Sequence, residues 1–165
     1  MFYIAQIIGT IGLIIVILSF QKNNKETLLK YQIVSTLFFG TQYILLNALS
    51  GFFMNTTMCI RNLIFLRYKN RVPKKYLTLI IIIMIFLSLL SYNGPISLLP
   101  CIGSIAYTII LAKYSIKATR IANSITCALY IIYNINVLAI AGIISATIEL
   151  ISTIIAIYKF DIKKH

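Results

Sequence analysis

Residues 67–92 read RYKNRVPKKYLTLIIIIMIFLSLLSY. Five basic side chains, Arg67, Lys69, Arg71, Lys74 and Lys75, crowd the first nine positions, and residues 76–92 then pass without a charge. A helix needs about 17–25 largely apolar residues to cross a hydrocarbon core of about 30 Å, and 76–92 meets the lower bound. Its side chains are aliphatic nearly all the way around, so the segment reads as a lipid-facing helix and not as part of a site. A basic cluster set directly against such a run marks the cytoplasmic end of a membrane span.

The same measure applied outward finds six more spans, at 2–20, 31–48, 50–67, 96–112, 120–138 and 140–158. The composition agrees: the 165 residues are 60% hydrophobic and 11% charged, with a mean hydropathy of +0.95. Soluble domains carry roughly 25% charged residues, so most of this chain is expected to meet lipid as one membrane domain, 1–165. Span 2–20 has no basic stretch before it and no small-residue cleavage site after it, which predicts a retained helix and not a signal peptide.

The net charge of +12 first suggests a polyanionic partner. Its placement says otherwise. Lys22, Lys25 and Lys30 lie between spans one and two, and the five residues of 67–75 between three and four. Lys113, Lys117 and Arg120 lie between five and six, and Lys159, Lys163 and Lys164 follow span seven. The alternate connections, near 47–51, 92–95 and 138–142, hold no Lys or Arg. Fourteen of the 15 basic residues thus fall on one side, which the positive-inside rule makes cytoplasmic. The expected topology puts the N-terminus outside and the C-terminus in the cytoplasm. Charge dispersed over four short flanks fits anionic headgroups and excludes nucleic acid as a partner.

Side-chain catalysis is poorly supplied. The histidine is His165, and the carboxylates are Glu26, Glu149 and Asp161, no two on one helical face. Cys59, Cys101 and Cys127 are scattered through apolar stretches as small filler, without the spacing of a zinc site. The chain is therefore expected not to be an enzyme and to hold no cofactor and no metal.

An internal repeat is predicted. Ile8-Gly9-Thr10-Ile11-Gly12 returns as Ile102-Gly103-Ser104-Ile105-Ala106, 94 residues on, while Gly51 and Thr56 meet Gly142 and Thr147 at a spacing of 91. Three spans end on the side opposite to their start, so a second copy in the same orientation needs one extra crossing, which 76–92 supplies. The predicted architecture is all-α with seven spans arranged 3+1+3: a first three-helix repeat (1–70), a connector (76–92) and a second repeat (95–160), parallel about an axis along the membrane normal.

Ala5-Gln6-Ile7-Ile8-Gly9, Met54-Asn55 with Arg61-Asn62, Leu99-Pro100-Cys101-Ile102-Gly103, and Gly142 with Glu149 together resemble the YgjV-type bacterial inner-membrane proteins, over nearly the whole chain. More distantly the layout is similar to the SWEET/PQ-loop superfamily. That resemblance implies a small solute moving along a central path between two triple-helix bundles. It also implies a multi-pass protein of the bacterial cytoplasmic membrane. The Pro-Gln pair of PQ-loop proteins is split here, Gln6 standing in the first repeat and Pro100 in the second. Pro100 is expected to kink its helix, either as a hinge or for packing. Gly9, Gly12 and Gly103 are expected as hinge or close-packing positions.

Two charges fall deep in the spans, Arg61 and Glu149. A central Arg costs about 2.5–3.5 kcal/mol on insertion scales, so each is expected to find a partner. From the neutral turns their depths differ by only ~5 Å at ~1.5 Å per residue. An Arg61–Glu149 ion pair is expected, as a structural clasp or as part of a gate. Neutral polar groups accompany them: Gln32, Ser35, Gln42, Asn55, Thr56, Asn62, Asn123, Thr126, Asn134, Thr147 and Ser152. Asn55 and Asn62 are seven apart and share a face, with Arg61 about 100° aside. Asn55, Asn62, Asn134 and Glu149 are the expected lining of a solute path. The sequence thus points to a carrier of a small polar solute by alternating access; a non-transporting scaffold or receptor of the same fold is the alternative. Either is compatible with a homo-oligomer.

Overall fold

A computed structural model of the chain describes residues 1–20, 25–68, 72–113, 116–158 and 162. Among these residues there are seven α-helices and no strand: α1 (Phe2–Phe20), α2 (Lys25–Leu45), α3 (Leu49–Tyr68), α4 (Lys74–Leu90), α5 (Leu99–Lys113), α6 (Ile116–Asn136) and α7 (Ile140–Ile157). A 3₁₀ turn, Pro95–Leu98, leads into α5. Isoleucine is an indifferent helix former in water, but lipid offers backbone amides no partner, and a helix satisfies them within one segment. Each expected span coincides with one helix. α2 starts six residues before the apolar run, and its first turns carry an exposed Lys30–Glu26 pair at 2.7 Å.

Two segments, Pro95–Ala112 and Ile140–Ile157, are long and apolar enough to cross a membrane on length and composition alone, and Phe2–Leu18 is a shorter apolar helix. Among the others, α4 is 17 residues long and largely apolar inward, whereas α2, α3 and α6 turn polar side chains inward. α3 alone buries Asn55, Thr57, Arg61 and Asn62. Lys22, Lys69, Arg71, Lys159, Lys163 and Lys164, which carry part of the orientation reading, lie outside the described residues.

Pro100 does not kink a helix interior. It is the second residue of α5, immediately after the 3₁₀ turn, where a missing N–H removes no intrahelical bond. Pro73 stands just before α4 in the same spirit, with φ −58° and ψ 140°.

The turns after α2 and α6 are built alike, 91 residues apart. After α2, Leu46, Asn47 and Ala48 donate their N–H groups to Gln42, Ile44 and Tyr43. After α6, Val137, Leu138 and Ala139 donate to Tyr133, Ile135 and Asn134, each partner 91 positions on. Asn47 and Leu138 both sit at φ 55°, the left-handed conformation that ends a helix. Asparagine tolerates that region; leucine is strained there by about 1–2 kcal/mol. Leu138 is also exposed. Leu138→Gly is therefore expected to raise stability by about 0.5–1 kcal/mol after the entropic cost of glycine. Thermal unfolding of the purified protein checks this, and a lower midpoint contradicts it.

Helix packing closes a ring. α1 packs on α2, α2 on α3, α3 on α5, α5 on α6, α6 on α7, and α7 on α1. α4 lies against α3 and α5 through Leu77, Ile80, Met84 and Ser88, and presents Leu79, Ile82, Ile85, Phe86 and Leu89 outward. The polarity of the whole is inverted. Isoleucines such as Ile7, Ile82, Ile144 and Ile155 are exposed, while Gln42, Arg61, Asn62 and Asn134 are almost completely buried. A surface of this kind is stable only where its surroundings are apolar.

Candidate functional site

Inside the ring is a cavity of about 130 Å³, lined from all six ring helices and not from α4. That is room for several waters or one small polar molecule, since a single water needs about 10–15 Å³ on this measure. The four expected path residues, Asn55, Asn62, Asn134 and Glu149, all line it, with Gln32, Ser35, Asn123 and Thr126. Arg61 lines it as well. Its Cα lies about 100° around the helix from that of Asn62, but the long side chain reaches back to the cavity. Nε and one Nη donate to Asn62 Oδ1 at 3.1 and 2.9 Å, and the other Nη donates to Thr108 Oγ1 at 3.2 Å. The guanidinium sits over the Tyr107 ring, 5.2 Å from its centre, a favourable cation–π geometry.

The expected Arg61–Glu149 ion pair is not formed. Neither side chain has an ion-pair partner within 4.0 Å among the described residues. Glu149 instead accepts from Asn123 Nδ2 at 3.1 Å, and Asn123 also donates to Thr153 Oγ1, whose hydroxyl returns to the Glu149 carbonyl at 2.8 Å. α3 and α7 are not neighbours in the ring, so each charge is held by groups on its own flank.

One end of the cavity is latched. Tyr43 Oη donates to Asn134 Oδ1 at 2.5 Å, and Gly51 N–H donates to Tyr133 Oη at 2.8 Å. The rings of Tyr43 and Tyr133 meet with centres 5.9 Å apart, and both side chains are 2% exposed. Next to this latch, Gln6 ties α1 to the turn after α6. Its Nε2 donates to the Leu138 carbonyl at 2.8 Å, and its Oε1 accepts from Ile140 N–H and Gln42 Nε2. Across the ring, Ser50 Oγ donates to the Ser97 carbonyl, tying the start of α3 to the 3₁₀ turn. Tyr43→Phe removes the donor to a fully buried asparagine and is expected to cost about 1 kcal/mol of stability. Unfolding in detergent measures it; an unchanged midpoint would show that Asn134 finds another partner.

Gly9, Gly12 and Gly103 lie at helix contacts, against Gln42, Phe38 and Thr126. The Gly103 carbonyl accepts from Thr126 Oγ1 at 3.0 Å. Not every polar residue of the spans reaches the interior. Thr56 and Ser152 are exposed. The hydroxyls of Thr56 and Thr147 donate to the carbonyls of Phe52 and Ile143 on their own helices, which satisfies them without a second helix. The tyrosines of the site, Tyr43, Tyr107, Tyr130 and Tyr133, escaped the sequence reading because tyrosine serves equally as apolar filler. Tyr130 lies one turn before Asn134 on the same face, and that spacing was the available signal.

A helical chain with an apolar exterior, around a ring that encloses polar and charged groups, is an integral membrane protein. This one belongs to the Imp-YgjV family of bacterial inner membrane proteins, whose sequence model matches residues 3–164. No curated protein and no solved structure matches the chain.

Proposed function

We propose that this protein is a carrier or facilitator of a small polar solute in the bacterial inner membrane. It moves the solute by alternating access between two three-helix units, 1–70 and 95–160, joined by the connector 76–92, and performs no covalent chemistry. The observation that carries this reading is the central cavity, lined from all six ring helices and containing both Arg61 and Glu149. Intramembrane charges are costly and face a bundle interior or a water-filled path where they serve transport. The like-built turns 91 residues apart, and the coincidence of α2 with α6 at that spacing, support an internal repeat. Seven spans with the N-terminus outside put the basic flanks in the cytoplasm. The Tyr43–Asn134 and Tyr133–Gly51 latch then closes the external end, and its opening admits solute from outside.

Uptake into proteoliposomes, screened over radiolabelled sugars, amino acids and nucleosides, tests the proposal. Accumulation of at least one class above protein-free vesicles is expected. No accumulation across the panel, with protein correctly inserted, overturns it in favour of a non-transporting scaffold.

A further inference from the structure

Resting on the carrier reading, we infer that the cavity selects a small zwitterion, a molecule carrying one ammonium and one carboxylate. Arg61 and Glu149 are the two charged residues among those that line it. They belong to helices that are not adjacent in the ring, and no ion pair joins them. Each is instead held by neutral groups: Asn62, Thr108 and the Tyr107 ring for the guanidinium, Asn123 for the carboxylate. A clasp would bring the two charges into contact. Here they are positioned separately, and each keeps bonding capacity in reserve.

The reserve can be counted. A guanidinium has five N–H donors, and Arg61 makes three hydrogen bonds, so two remain without a partner among the described residues. Glu149 Oε1 accepts from Asn123, while Oε2 has no partner among the described residues. Two donors on a planar cation match a carboxylate; a free carboxylate oxygen matches an ammonium. A neutral polyol brings a counter-charge to neither group. A simple anion or cation would compensate one and leave the cavity with a net charge. A zwitterion compensates both and leaves it neutral.

Binding to the purified full-length protein in detergent, measured by isothermal titration, decides the matter. The zwitterionic probes are glycine, β-alanine and 4-aminobutyrate, which step the charge separation. Propionate and ethylamine each carry one of the two charges, and glycerol carries none. At least one zwitterion is expected to bind about tenfold or more tighter than every other probe. Arg61→Gln is expected to weaken that zwitterion by about tenfold while changing ethylamine little, and Glu149→Gln to do the same while changing propionate little. Glycerol, propionate or ethylamine binding as tightly as the best zwitterion overturns the assignment and leaves the carrier reading standing. No binding by any probe, alongside no uptake of any solute, overturns both. The ranking on the unmodified protein decides even if a variant does not fold.

Discussion

Arg61→Gln is expected to abolish most solute uptake while leaving the protein folded. A charge-assisted hydrogen bond contributes about 1.5–3 kcal/mol, so losing the guanidinium's contacts to solute lowers uptake by about tenfold to a hundredfold. Stability is expected to change little, by about 1 kcal/mol or less, because two effects oppose. Asn62 Oδ1 loses its donors, but an unpaired intramembrane cation is removed as well. Thr108 keeps its own bond to the Ser104 carbonyl at 2.6 Å. Paired measurements of initial uptake rate and unfolding midpoint separate the cases. If Arg61→Gln aggregates or unfolds at much lower temperature, the residue is a structural element of the ring and its role in transport falls.

Gly51→Val is expected to be the most damaging single change to the fold. A Cβ at Gly51 would lie 2.8 Å from Tyr43 Cδ1 and Cγ and 2.9 Å from Tyr133 Cε1. These are ring atoms of buried side chains, each tied by a hydrogen bond, and they cannot swing aside as the end of a flexible chain would. A branched side chain must therefore displace both rings and break the latch, at a cost of about 3 kcal/mol or more. Gly40→Ala is the matched control: its Cβ would meet nothing closer than 3.7 Å, an ordinary contact with Phe52. Alanine there is expected to be tolerated or to stabilise α2 by about 0.5–1 kcal/mol. Monodisperse yield and unfolding midpoint for both variants check the contrast. Equal behaviour would mean that the tyrosine latch is far looser than its packing implies.

The membership of the cavity was largely legible beforehand. Asn55, Asn62, Asn134 and Glu149 were expected inside because lipid drives such side chains toward protein, and all four line the cavity. The partners were not legible. Arg61 and Glu149 looked obliged to pair, since depth along a helix axis is readable from residue count. Azimuth and lateral separation are not, and the ring order keeps α3 and α7 apart. Thr126 and Thr56 make the same point in one residue type. One donates to the Gly103 carbonyl of the adjacent helix and the other only to its own, because one helix presents that position to a neighbour and the other to the exterior.

The amino-acid sequence by itself determined that this is an all-α membrane chain, where its helices run, and that most polar residues of its spans are turned inward. Those properties follow from the cost of exposing backbone amides and side-chain charges to hydrocarbon, a cost paid locally, residue by residue. Only the tertiary structure decided that six helices close a ring with α4 outside it, that Pro100 starts a helix where a kink was expected, and that two opposite charges line one cavity without touching. Such choices depend on how far a side chain reaches across to a neighbouring helix, and that distance exists only once the helices have packed.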